Sequence, residues 1–189
     1  LKLMSDNNNN QYESSFIDDF ILQSHSDEFG TSKYLKQFNK LDMKVSFGIG
    51  RKASIPWISF TAPGMSTSYG YYPVFLYFQS EKLLVLSYGI SETDEYDKTW
   101  PDEVFQKYPK IKDVIDKPKR YGESLVYKIY EVELNENVSY KIKGETYTID
   151  NIINDLYSIT NFYIDNLNYE IKSELANNKK FDETIAYLL

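Results

Sequence analysis

Eight aromatic side chains and no formal charge occupy the segment from Trp57 to Phe78, and basic residues lie just before it. Flat rings can stack on nucleobases, and cations such as Arg51 and Lys52 can hold phosphates. A pair of hydrophobic core strands would have the same composition. The residues alone therefore leave two interpretations open, a stacking platform for nucleic acid and an ordinary core.

Catalytic motifs are missing from the sequence. The stretch G-I-G-R-K at residues 48–52 lacks the spacing and the hydroxyl residue of a phosphate-binding P-loop. Neither the H-x-E and P-C-x-x-C pair of zinc deaminases nor a G-x-S-x-G hydrolase motif occurs. The acidic cluster Asp94, Glu95 and Asp97 is interpreted first as a solvated loop. We therefore assign no catalytic residue and no metal ligand, and binding is the first hypothesis.

The charges of the chain are segregated along the sequence. The net charge is -7, with no cysteine and one histidine, so a thiolate metal site is excluded. Residues 33–52 nevertheless carry a local charge of +5 and residues 107–128 a charge of +4, whereas residues 53–80 carry none. Such a pattern is compatible with one basic face on an acidic protein, as nucleic-acid binding requires, and equally with ordinary solvated surface.

Hydrophobic periodicity predicts an α+β fold, with a central, mainly antiparallel sheet flanked by helices and a long C-terminal helical segment. Apolar residues repeat with helical spacing near the N-terminus, then with a period of two, then again with helical spacing. The predicted helices are one starting after Ser14 or Ser15, a short one at 32–38, one at 100–115, one from Ile149 to about Leu167, and a last one at 181–189. The predicted strands are 43–47, 55–60, 71–78, 83–90 and 125–134, the first four as an antiparallel meander.

One domain is expected, at residues 12–170, after a disordered lead-in at 1–11 that contains a run of asparagines. Residues 171–189 are expected to form a helical extension or linker. No stretch has the length and hydrophobicity of a membrane span, and the first residues lack the apolar region of a signal peptide. These features predict a soluble, cytoplasmic protein with no membrane partner.

Several motifs in fixed order resemble a known family. They include S-F-G-I-G at residues 46–50, S-I-P-W at 54–57, Y-P-V-F-L-Y at 72–77 and L-V-L-S-Y-G-I-S-E-T at 84–93. Trp100, K-R-Y-G-E-S at 119–124 and D-N-I-I-N-D at 150–155 extend the similarity over roughly residues 12–165. In this combination the chain resembles the N-terminal domains of McrB-type subunits of modification-dependent (type IV) restriction systems.

The resemblance implies a domain that binds double-stranded DNA and flips a 5-methylcytosine, preceded by a purine, into a pocket. A base that leaves the helix loses stacking and pairing energy, and aromatic walls can restore part of that energy by stacking on the base. The family's pocket residues fall on Trp57, Tyr72, Leu76 and Tyr121. From the residues alone, Trp57 and Leu76 would be assigned to the core, whereas Tyr121 lies in a basic loop.

A wedge loop is also implied by the resemblance, at Gly48, Ile49 and Gly50. The family's best known member has a tyrosine that enters the DNA where this chain has Ile49. An isoleucine can still act as an apolar wedge, although it fills less space. Phosphate contacts are expected from the neighbouring cations Arg51, Lys52, Lys117, Lys119 and Arg120.

No cofactor is expected for this chain; GTP and Mg²⁺ would serve only a GTPase domain that follows in the full-length subunit. The expected partners are DNA containing modified cytosine and, through the full-length protein, an McrC-like nuclease subunit. Three alternatives stay open. The chain could read RNA or single strands by stacking, it could be a glycosylase-like enzyme using Asp94, Glu95 or Asp97, or it could be a structural adaptor whose aromatic run is core.

Overall fold

A computed structural model describes residues 16–93, 96, 98–168 and 171–177. Within them, eight strands form one antiparallel sheet in which every strand pairs with the next in sequence, and five segments are helical. This confirms an α+β fold with a central antiparallel sheet. The strands are β1 (Gln37–Phe38), β2 (Leu41–Ser46), β3 (Trp57–Thr61), β4 (Tyr71–Phe78), β5 (Leu83–Ile90), β6 (Leu125–Leu134), β7 (Val138–Ile142) and β8 (Glu145–Tyr147). The helices are α1 (residues 16–24), α2 (Asp102–Lys107), α3 (Ile111–Val114), α4 (Ile149–Asp165) and α5 (residues 171–177).

The predicted meander is confirmed as β2 to β5, and the strand predicted at 125–134 is β6. The central strands β3 and β4 are buried along almost their whole length. A strand that is buried on both faces has no solvent-facing position for a charged side chain, which explains why β3 and β4 carry no formal charge.

Helices α1 and α4 cover one face of the sheet. The ring of Phe20 in α1 lies 6.4 Å from that of Tyr77, and the ring of Tyr163 in α4 lies 5.7 Å from that of Tyr71. Since side chains alternate along a strand, the neighbouring residues Tyr72 and Leu76 point to the opposite face. The fold thus leaves that second face of β3 and β4 to the loops.

The helix predicted at 32–38 is wrong. Residues 37–38 form β1, and Asn39 and Lys40 make the turn into β2 with φ of 46° and 68°. A two-residue turn with both φ values positive matches the twist of an antiparallel hairpin. Tyr34 and Phe38, whose spacing suggested a helical face, are nevertheless both buried in the core.

The single helix predicted at 100–115 is also wrong, because α2 and α3 are separated by an extended break. Tyr108 has φ -112° and ψ 138°, since the following Pro109 disfavours helical geometry at the preceding residue. Trp100 lies before α2, is buried, and donates its indole N–H to the Gly89 carbonyl at 2.9 Å.

Two helices, α4 and α5, lie in the part of the C-terminal region that the structure describes, and the long C-terminal helical segment predicted from the sequence is not confirmed. Thr148 caps α4, because its hydroxyl accepts the Asn151 N–H while the Asn151 amide oxygen accepts the Thr148 N–H. The helix ends at Asp165, and α5 follows. The helix predicted at 181–189, the lead-in at 1–11 and the cap at Ser14 or Ser15 lie outside the described residues, so these and the proposed domain limits stay predictions.

Candidate nucleic-acid interface

A cleft of about 570 Å³ lies on the face of the sheet opposite α1 and α4, within the usual size of ligand sites. Its floor is formed by β3, β4 and β5, and its walls by three connections. These are the β2–β3 loop, the β3–β4 loop and the long β5–β6 connection. Its lining includes Ile49, Trp57, Tyr72, Leu76, Glu92 and Tyr121.

The floor of the cleft brings together the pocket residues predicted on strands. Trp57 pairs directly with Leu76 in the register of β3 and β4, so the two side chains lie next to each other on one face. Trp57 is half-buried, whereas Leu76 is 1% exposed. Tyr72 lies farther along β4, over β5.

Gly89 allows the ring of Tyr72 to lie across the sheet. A Cβ atom at position 89 would stand 2.6 Å from the Tyr72 carbonyl oxygen and 3.3 Å from its ring, so any side chain there would displace the tyrosine. The Tyr72 hydroxyl donates to the Thr67 carbonyl at 2.8 Å. Burial raises the pKa of Tyr72 well above its usual value, and the phenol therefore stays a neutral donor.

Tyr121 closes the cleft from the β5–β6 connection. Its φ is 66°, a left-handed conformation that is costly for a tyrosine. Its backbone N–H donates to the Glu92 carboxylate at 2.6 Å, and the Arg120 Nε donates to the other oxygen of the same carboxylate at 3.3 Å. The Arg120 guanidinium lies 4.9 Å from the centre of the Tyr121 ring. Glu92 therefore holds both residues in place.

The β2–β3 loop presents Ile49 at the mouth of the cleft, with 98% of the residue exposed. Gly48 has a φ of 106°, and a Cβ there would lie 2.2 Å from the Arg51 carbonyl oxygen, so only glycine fits. The loop is closed by the Ala53 N–H donating to the Phe47 carbonyl at 2.8 Å. Gly50 belongs to the loop but does not line the cleft.

The predicted phosphate-binding cations fall into different environments. Arg51 and Arg120 are exposed at the cleft, whereas Lys117 and Lys119 are exposed on the β5–β6 connection outside it. Lys52 lines the cleft, but its ammonium is hydrogen-bonded elsewhere.

The Lys52 ammonium donates to the carbonyls of Gln23 and Glu28 at 3.0 and 2.8 Å and lies 4.8 Å from the Phe47 ring centre. Burial lowers the pKa of Lys52, and the nearby carboxylates of Asp27 and Glu28 oppose that shift. Lys52 thus ties the wedge loop to the end of α1.

Sequence reasoning missed the polar side of the cleft, which comprises Thr67, Ser68, Glu92, Thr93 and Ser124. Glu92 and Thr93 end the L-V-L-S-Y-G-I-S-E-T motif, and that position was the available signal. The acidic residues Asp94, Glu95 and Asp97 lie outside the described residues. In the described part of the chain, no three His, Asp or Glu side chains are grouped to hold a metal ion, and no helix is long and apolar enough to cross a membrane.

The fold and the cleft define a single-sheet α+β domain with an aromatic cleft suited to binding a flat ligand. The chain belongs to the family of MrcB-like N-terminal domains, whose family model matches residues 1–181. It is also 34% identical over 153 residues to the Type IV methyl-directed restriction enzyme EcoKMcrB subunit of Escherichia coli (strain K12). That match covers 77% of this chain and 32% of the relative, so the chain spans about a third of the length of that protein. The family resemblance seen in the sequence is confirmed.

Proposed function

We propose that this domain binds double-stranded DNA and receives in its cleft a flipped modified cytosine, 5-methylcytosine preceded by a purine. One observation carries the proposal. The four pocket residues expected from the resemblance, which come from two strands and a distant loop, line a single cleft that has the expected wedge residue at its mouth. The similarity to a subunit named as methyl-directed supports methylated DNA as the ligand.

The cleft offers a flipped base both stacking and a snug lateral fit. Taking a base out of the duplex costs a few kcal/mol of pairing and stacking, and aromatic walls return part of that cost. Trp57 and Tyr121 supply the rings that a pyrimidine stacks on, and Leu76 and Tyr72 limit the space beside its 5-position. Ile49 enters the gap that the base leaves in the duplex, as the apolar wedges of other DNA-bending proteins do.

The exposed cations at the cleft position the DNA backbone. Arg51 lines the cleft from the β2–β3 loop and Arg120 from the β5–β6 connection, and Lys117 and Lys119 are exposed on the same connection as Arg120. Contacts of this kind fix orientation without reading sequence. Lys52 contributes indirectly, because it holds the wedge loop to α1.

In the full-length subunit, this domain would supply the specificity, and a following GTPase domain would supply GTP- and Mg²⁺-dependent work. That motor would recruit an McrC-like nuclease subunit. The domain itself then binds DNA without hydrolysing nucleotide or cutting the strand.

The test is a titration with short duplexes that carry one 5-methylcytosine, one unmodified cytosine, or one hydroxymethyl- or N4-methylcytosine. We expect the tightest binding to a modified duplex. Trp57→Ala and Tyr121→Ala should abolish the preference, whereas Phe105→Ala, an exposed aromatic on α2, should preserve it. Equal affinity for modified and unmodified duplexes would refute the proposal.

The same titration separates the alternatives. Stronger binding of single-stranded DNA or RNA than of duplex would favour a stacking reader of single strands. Release of free base during incubation would instead favour a glycosylase. If the Trp57→Ala protein no longer folds, Trp57 has a structural role in the core. The preference for modified DNA is then tested with Tyr121→Ala.

A further inference from the structure

We propose that Glu92 selects cytosine-type bases over thymine by accepting a hydrogen bond from the exocyclic amine of the flipped base. This inference rests on the proposed function and names the group that sets its specificity. The carboxylate would act directly on the base, in addition to holding the Arg120–Tyr121 segment.

A pocket made of rings and aliphatic walls cannot perform this selection. Thymine and 5-methylcytosine both carry a 5-methyl group, and they present similar flat faces for stacking. They differ at the 4-position, where cytosine has an amine that donates and thymine has a carbonyl oxygen that accepts. Because thymine is present throughout DNA, a reader of 5-methylcytosine needs a group in the cleft that distinguishes a donor from an acceptor.

Glu92 is the only carboxylate among the described residues that line the cleft. An ionised carboxylate only accepts hydrogen bonds and offers about four lone-pair sites. One contact to each oxygen is already present, from the Tyr121 N–H at 2.6 Å and from the Arg120 Nε at 3.3 Å. Acceptor capacity is therefore left, and 34% of the side chain is exposed.

The Glu92 carboxylate lies beside the aromatic walls of the cleft. Glu92 lines the cleft together with Tyr72 and Tyr121, and its carboxylate accepts the backbone N–H of Tyr121. Its charge adds to the larger effect of burial in raising the pKa of both phenols. The two contacts from the β5–β6 connection hold it in one orientation. A base stacked at Tyr121 would bring its 4-position within reach of this group.

Other acceptors in the cleft are less able to select. The Thr67 and Gly89 carbonyls each accept one hydrogen bond, from Tyr72 and Trp100, and a neutral carbonyl forms a weaker hydrogen bond with an amine than a charged carboxylate does. The hydroxyls of Ser and Thr can rotate and both donate and accept, so they satisfy an amine and a carbonyl equally. Thymine in this cleft would place its O4 against the carboxylate and leave two acceptors unpaired, a costly arrangement in a closed site.

The experiment compares duplexes that differ only in the flipped base, each placed opposite guanine. The bases are 5-methylcytosine, unmodified cytosine, thymine and 5-methylpyrimidin-2-one, which has hydrogen in place of the amine. The proteins are the native domain, Glu92→Gln and Glu145→Gln. The last removes the same charge at β8, away from the cleft. Affinities are measured by fluorescence anisotropy at one fixed salt concentration, since DNA affinity depends strongly on salt.

The native domain should bind the thymine and pyrimidinone duplexes about 10- to 100-fold more weakly than the 5-methylcytosine duplex, the usual range for a hydrogen bond to a charged group. A thymine mismatched with guanine flips more easily than a paired base. Weaker binding of the thymine duplex must therefore come from poor contacts of thymine in the cleft. In Glu92→Gln, whose amide can donate to O4, the ratio of 5-methylcytosine to thymine affinity should fall at least about tenfold. Glu145→Gln should keep the native ratio.

Two results would overturn the assignment of Glu92. One is native protein that binds the pyrimidinone duplex as tightly as the 5-methylcytosine duplex, and this result needs no variant. The other is a Glu92→Gln protein that weakens binding to every duplex by the same factor, because that would make Glu92 a positioning residue only. The native preference for 5-methylcytosine over unmodified cytosine reports separately on the proposed function, and its loss would remove both proposals.

Discussion

Ile49 offers the most direct test of the cleft, because its side chain does nothing for the folded state. It is 98% exposed, and the loop around it is fixed by glycine geometry and a backbone hydrogen bond. Replacing Ile49 with alanine should leave the free energy of unfolding within about 0.5 kcal/mol of native, as for other exposed positions.

The effect on DNA binding follows from the carbon atoms removed. If Ile49 occupies the gap left by the flipped base, it passes from full exposure to burial between base pairs. Isoleucine to alanine removes three carbons, and at about 0.8 kcal/mol for each buried carbon the loss is about 2 kcal/mol. That corresponds to roughly a thirtyfold weaker complex. Ile49→Tyr should bind at least as tightly as native, since a ring also stacks on the exposed bases.

The assay is fluorescence anisotropy with a 5-methylcytosine duplex, together with thermal unfolding of each free protein. Leu22→Ala is the matched control, because Leu22 is also a large exposed side chain, 56% exposed on α1, and loses the same number of carbons. Native affinity in Ile49→Ala, or an equal loss in Leu22→Ala, would refute the wedge role. A lower unfolding temperature in Ile49→Ala would refute the claim that the side chain is idle in the free protein.

The remaining predictions concern the loop that carries this residue. Gly48→Ala should destabilise the protein by about 2 kcal/mol or more and weaken DNA binding, because its Cβ would lie 2.2 Å from a carbonyl oxygen at a φ of 106°. Gly50→Ala meets nothing within 4 Å and should cost only about 1 kcal/mol; equal unfolding temperatures for the two variants would contradict this account. Arg51→Ala should reduce the magnitude of the slope of log affinity against log salt concentration by about one unit, the value for one phosphate contact. Lys52→Met should instead lower thermal stability with little change in that slope, and a full unit of slope lost in Lys52→Met would make it a phosphate ligand after all.

The sequence predicted the elements whose apolar pattern is set by their burial. Residues Phe16, Ile17, Phe20 and Ile21 repeat with helical spacing and are all buried in α1. The strands β2 to β6 were found from their period of two and their apolar runs. In these segments local pattern and tertiary packing require the same residues, so one predicts the other.

The errors occurred where one or two backbone angles outweigh the hydrophobic pattern. The residues before β2 have helical apolar spacing, but positive φ values at Asn39 and Lys40 turn the chain into a hairpin. Residues 100–115 also have helical spacing, but Pro109 breaks the helix. Strands β7 and β8 were not predicted, because their burial is partial and their pattern is correspondingly weak.

The sequence predicted which aromatic residues belong to the site, but not how they are placed relative to one another. Trp57 and Leu76 meet because β3 and β4 are paired in register, and that pairing follows from the meander. Tyr121 is tied to the same cleft by its contact with Glu92, at a sequence separation of 29 residues. No local pattern reports such a contact, so the carboxylate was overlooked although its motif was recognised.

The cleft combines buried residues on strands with partly exposed residues on loops, and the two groups differ in how freely they can be replaced. Tyr72 and Leu76 are 6% and 1% exposed and belong to central strands, so replacing them alters the sheet as well as the site. Ile49, Glu92 and Tyr121 lie on connections whose backbones are held by glycine geometry and hydrogen bonds, and their side chains are at least partly exposed. A change in base preference therefore costs less stability when it is made in the loops. We expect the strand residues to set what size of base can enter and the loop residues to set which base is retained.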